Sequence, residues 1–155
     1  MKRVLMLLGT ITLLFGGIIT AGLGFIGGKA YFSATDNKQA AIAAVKEISK
    51  DWSFEGRYDV VDASLVRVAD TPRIVQFVRN IGRLGQLVAT RDAQQVHFGM
   101  SNTKGTTAII EFQGEFTNGV GKVIATMRKS DGKMKLFGIK IKDGKLTRAK
   151  PQTAV

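Results

Sequence analysis

The sequence predicts an α+β fold in which an N-terminal transmembrane helix is followed by helices packed on a curved four-stranded antiparallel meander. Three observations point there. A 25-residue uncharged segment runs from Val4 to Gly28. Apolar residues then recur at helical spacing as far as Ile81. Beyond Gly85 the period changes to alternation, broken by short turns. Helices first and a meander afterwards is the α+β order. The boundaries this implies are an anchor over 1–28, a connector over 29–37, an α+β domain over 38–145 and a basic tail over 146–155.

Taken in order, "VLMLLGTITLLFGGIITAGLGFIGG" would reach about 37 Å as a helix, enough to cross a hydrocarbon core of about 30 Å. A cleaved signal peptide is the alternative, since Gly28-Lys29-Ala30 offers small residues at cleavage-like spacing. Its apolar core, though, would usually be only about 7–15 residues. Lys2, Arg3 and the amino terminus precede the span and only Lys29 follows it closely. That bias keeps a short N-terminus in the cytoplasm and exports the rest. In a bacterium the protein would then sit in the inner membrane, with its domain periplasmic or extracellular. Within the span Gly16, Thr20, Gly24 and Gly28 recur every four residues, stacking small side chains on one face where a partner helix can approach. General glycine enrichment of membrane helices is the competing reading.

After the polar "KAYFSATDN", Ala41, Ile42, Val45, Ile48 and Trp52 form a helical stripe with Asp36 or Asn37 as its cap. Tyr58, Val61, Leu65 and Val68 make a second stripe. Thr71-Pro72 opens a third helix, whose apolar face is Ile74, Phe77, Val78 and Ile81 and which closes at Gly82 and Gly85.

The first strand, "QLVATRDAQQVHF", is loosely patterned. "TTAIIEFQGEF" puts Ala108, Ile110, Phe112, Gly114 and Phe116 on one face, and "GKVIATMRK" turns Val123, Ala125 and Met127 the same way. In "KMKLFGIKIK" Met134 and Leu136 are in one phase, Ile139 and Ile141 in the other. One extra residue near Gly138 would produce that switch.

Composition narrows the partners. The chain has 23 Lys and Arg against 12 Asp and Glu, no cysteine and one histidine. Without cysteine there is neither a disulfide framework nor a lipid attached through an N-terminal cysteine, so the domain must rest on its own core. A net charge of +11 favours an anionic partner. The outward cations are Lys122, Arg128, Lys133, Lys135, Lys140 and Lys142. They form either a docking surface for an anionic partner or a solvated face that resists edge-to-edge aggregation. Nucleic acid is not expected, because no stacking aromatics are interleaved.

Chemistry is sparse. His97 has no second histidine and no carboxylate at ligand spacing, so no metal site is predicted. Asp59 and Asp62 stand one helical turn apart, a pattern that usually marks a solvated helix face. "GLGFIGG" lies in the apolar span rather than at a strand-to-helix turn, so it is no phosphate loop. Trp52, Tyr58, Phe77, Phe112 and Phe116 could line an apolar pocket or simply form the core.

Several of these residues carry a resemblance. Trp52 after the first helix, Tyr58 opening the second, Phe77 in the third, Leu84-Gly85 at its exit, Phe116 with Gly119, and Asp131-Gly132-Lys133 match short motifs over about residues 38–142. The pattern is similar to small exported bacterial domains of the cystatin-like or nuclear-transport-factor-2-like class, many of which have no assigned activity. Met134 departs from it, standing where an aromatic is usual. The resemblance implies a helix against a curved sheet and leaves function open. Together these readings imply a non-catalytic, cofactor-free module anchored by a single span. It would be an accessory subunit or assembly factor whose helix meets a membrane-protein partner or a second copy. A binder of a small apolar or amphipathic ligand is the alternative.

Overall fold

The computed structural model describes residues 31–103 and 105–147. The anchor, its small-residue seam at Gly16, Thr20, Gly24 and Gly28, and the end of the basic tail lie outside the described residues. No helix among the described residues is long and apolar enough to cross a membrane.

Three helices precede one open four-stranded sheet: α1 (Tyr31–Ile48), α2 (Ala63–Arg67), α3 (Pro72–Gly82), β1 (Leu87–Ser101), β2 (Gly105–Phe116), β3 (Gly119–Ser130) and β4 (Lys133–Leu146). The strands pair antiparallel in sequence order. The α+β order and the meander read from the sequence are thus what the chain forms.

Helix α1 packs against all four strands. It buries Ala41, Ala44, Val45 and Ile48, and the two alanines let its backbone come close to the sheet. Its described range, Tyr31–Ile48, takes in much of the stretch whose polar composition suggests a connector. Asp36 and Asn37 therefore lie inside the helix and do not cap it. Thr35, Asp36 and Gln39 face solvent, and buried Asn37 gives its Nδ2 proton to Gln95 Oε1 on β1 at 2.9 Å. A polar residue that finds a partner across the interface need not interrupt a helix.

The second stripe is also corrected. Only Ala63–Arg67 is helical there, and Tyr58 is 55% exposed in the preceding turn. Asp62 accepts from Ser64 N at 2.9 Å and so caps α2 at its start. Just before it, Val60–Asp62 runs beside β4. Leu136 N donates to Val60 O and Asp62 N to Leu136 O, both at 2.8 Å. This short parallel strap occupies backbone groups on the sheet's β4 edge.

Helix α3 has the predicted span, with Ile74, Phe77 and Ile81 buried and Pro72 in its first turn. Thr71 stands at the N-cap, but its hydroxyl turns back to Val68 O at 2.8 Å. The exit requires glycine at 85. Its φ is +78°, and a Cβ there would lie 1.8 Å from Thr117 Oγ1.

In β2 and β3 the buried residues are the alternate ones predicted: Ala108, Ile110, Phe112 and Phe116 on β2, Val123, Ala125 and Met127 on β3. Between β3 and β4 the register slips between Val120 and Lys122 and again where Leu136 opposes Met127 and Gly138 opposes Thr126, the second slip leaving Phe137 as the extra residue. Leu136 and Ile139 both reach the core because of it. The Asp131-Gly132 turn joining these strands has φ of +52° and +77°, as a tight two-residue hairpin demands. Strand β1 slips register three times, which is why its alternation is weak in sequence.

Candidate functional site

The most organised polar cluster is built around Asp62. The β4 strap and the cap of α2 place this carboxylate where it is 2% exposed. Arg128, on β3, crosses toward it. Its Nη2 donates to Oδ1 at 2.6 Å and its Nε to Oδ2 at 3.2 Å. Ser64 donates to Oδ1 through its amide and its hydroxyl, and Arg128 Nη2 also reaches Ser64 Oγ at 3.0 Å. The guanidinium carbon lies 4.1 Å from the ring centre of Phe137, the bulge residue, a cation–π contact. Burial alone would raise the Asp62 carboxyl. The hydrogen bonds from Arg128 and Ser64 together outweigh it and hold the group below its ordinary value. A carboxylate so held is a weak base, and both its oxygens are engaged. The cluster can fasten the strap to the sheet; it is poorly suited to proton transfer.

Asp59 does not join it. That residue is exposed in the turn before the strap, so the two aspartates share no helix face. His97 is half-buried on β1, opposite Ile109. Among the described residues no three His, Cys, Asp or Glu side chains are grouped to hold a metal ion.

Of the aromatic set, Trp52, Phe77, Phe112 and Phe116 are 1–5% exposed and belong to the core. Trp52 lies 5.9 Å from Phe116 between ring centres, and its indole N–H donates to Gly85 O at 3.0 Å. Tyr58 is outside that group. The space behind Phe112 and Phe116 is thus filled by side chains. The larger cleft, of about 510 Å³, opens to solvent on the outer side of Trp52 between Lys50, Asp51, Arg79, Gln86 and Thr117. Beside it Arg57 holds the Asp51 carboxyl below its ordinary value. A crevice of about 40 Å³ separates the end of α3 from β4, between Ile81, Leu84, Ile141 and Leu146.

The six cations divide. Lys122 pairs with Glu111 at 2.6 Å, Arg128 with Asp62, and Lys135 with Asp131 at 3.3 Å. Lys133 and Lys142 are exposed, and Lys140 is half-buried. The positive face is therefore partly neutralised by acids from β2, from the strap and from the hairpin turn. The Asp62–Arg128 latch itself is not visible in the sequence beyond Asp62-Ala-Ser64, whose Asp-x-Ser spacing suits a helix cap.

No protein-family model matches the chain, and no curated protein or solved structure is significantly similar to it.

Proposed function

We propose that this chain is a membrane-tethered, non-catalytic interaction module, an accessory subunit or assembly factor of a larger membrane complex. In this reading residues 4–28 span a bacterial inner membrane with the N-terminus cytoplasmic, and the α+β body is exported. The observation that carries it is the uncharged 25-residue segment ending only three positions before Tyr31 of α1. The filled core behind Phe112 and the fully engaged Asp62 favour an adaptor over a pocket binder or a hydrolase. The repeat of Gly16, Thr20, Gly24 and Gly28 supplies the seam for a partner helix. At the finer level of fold, the bulges in β1 and β4 and a helix that touches every strand fit a curved, cystatin-like or nuclear-transport-factor-2-like sheet.

Gentle crosslinking in native membranes, followed by detergent extraction, tests the reading. The expected product is a larger assembly that Gly24→Leu depletes. Recovery of free monomer alone, or of a soluble chain lacking residues 1–28, would overturn it.

A further inference from the structure

We propose that one end of the sheet is a docking surface for an anionic phospholipid bilayer, formed by the tips of the β1–β2 and β3–β4 hairpins. The proposal rests on the tether reading above. Two hydrogen bonds orient α1 on the sheet: Asn37 meets Gln95, and Ser49 accepts from Leu87 N at 2.9 Å. As the helix goes forward along the chain, the strand goes back, so α1 runs antiparallel to β1. The start of α1 therefore lies at the end of the sheet that carries the β1–β2 and β3–β4 turns.

Lengths then set the heights. From Asn37 back to Tyr31 is about 9 Å of helical rise. Gln95 pairs with Ile110, and from Ile110 to the hairpin turn at Gly105 is about 17 Å of strand. Taken along one axis, the strand tips thus pass Tyr31 by about 8 Å. Gly28, the last residue of the uncharged segment, is three positions before Tyr31, a reach of at most about 10 Å. With α1 along the membrane normal, the tips fall in the headgroup layer, which is roughly 5–8 Å thick on each side.

The side chains at that level suit it. Met100 is 78% exposed, a large apolar residue with no packing to explain it. Lys129 and Lys133 are exposed and have no carboxylate within salt-bridge distance among the described residues. Lys135 shares Asp131 with solvent. Exposed Met100 on one hairpin and exposed Lys129 and Lys133 on the other match the boundary between acyl chains and anionic headgroups, while the exposed carboxylate of Asp131 at the second tip is drawn to Lys135. Charge by itself does not select this end, since Arg83 and Lys145 lie towards the other, beside Asn118 and Val120. The point where the chain leaves the membrane selects it.

The full chain has no cysteine, so single labels are unambiguous. Variants Asn102→Cys in the β1–β2 turn, Leu146→Cys at the far end and Ile18→Cys in the apolar segment would each carry an environment-sensitive fluorophore. Each would be placed in nanodiscs of zwitterionic lipid with or without about one third phosphatidylglycerol. The expected result is a probe at 102 shielded from acrylamide relative to 146, and only in the anionic discs. Lys129→Glu with Lys133→Glu should shift the docked-to-free ratio by more than about 25-fold, roughly five-fold for each lysine lost from a charged surface, with the repulsion of each new glutamate adding to it. A shielded probe at 18 with equal quenching at 102 and 146 would overturn this proposal alone. An accessible probe at 18 would overturn the tether and the docking together. Shielding at 102 that ignores both lipid charge and the lysine reversals would overturn the headgroup recognition.

Discussion

Replacing Asp62 by Asn removes one charge and leaves the shape of the latch intact. The amide oxygen can still accept from Ser64 N and preserve the cap of α2, so the loss falls on the contact with Arg128. Breaking a fully buried ion pair from one side costs about 3–5 kcal/mol. Here the Arg128 side chain is 31% exposed and rests on Phe137, so it can recover water and keep its ring contact. The expected cost is therefore about 2–3 kcal/mol. At roughly 4 °C per kcal/mol for a body of about 115 residues, the melting temperature should fall by about 8–12 °C. Acid provides the control. The folded carboxyl of Asp62 lies below its ordinary 3.8, so its stabilisation is complete above that pH and fades as pH falls through the lower folded value. Melting followed by circular dichroism on the full chain in detergent should show the whole gap at pH 7 and a gap that narrows as the pH is taken down below 3.8. A gap under about 2 °C at pH 7, or one that persists unchanged in acid, would refute the account of the latch.

Other outcomes follow from the same contacts. Gly85→Ala forces a positive φ and drives a Cβ into Thr117, so it should destabilise by about 2 kcal/mol or more, read as a lower denaturant midpoint. Phe112→Ala empties a position that is 1% exposed and should cost about 3–5 kcal/mol in the same assay; a smaller loss with no added ligand binding would mean the site collapses. Trp52→Phe loses the bond to Gly85 O and part of the contact with Phe116, for an expected cost of about 1–2 kcal/mol by the same measurement. Gly24→Leu should weaken assembly in the membrane while leaving the melting of the α+β body unchanged.

The amino-acid sequence by itself determined the α+β order, the third helix, the faces of β2 and β3, and the bulge near Gly138. Each of these is written in local periodicity or in a turn residue with a fixed backbone requirement, so neighbours along the chain suffice to read it. The site was less legible. Asn37 looks like a cap until Gln95 is found opposite it, and Tyr58 completes an apolar stripe that the Asp62 cap and the Leu136 bridge prevent from forming. Strand β1 hides its inward positions because three register slips scramble the two-residue period. Only the tertiary structure could pair Asp62 with Arg128, 66 positions away, or bring the two hairpin tips to the same end as the start of α1. The reason is physical. Patterning records which side of an element is buried, while the partner that satisfies a buried charge is fixed by which elements pack together.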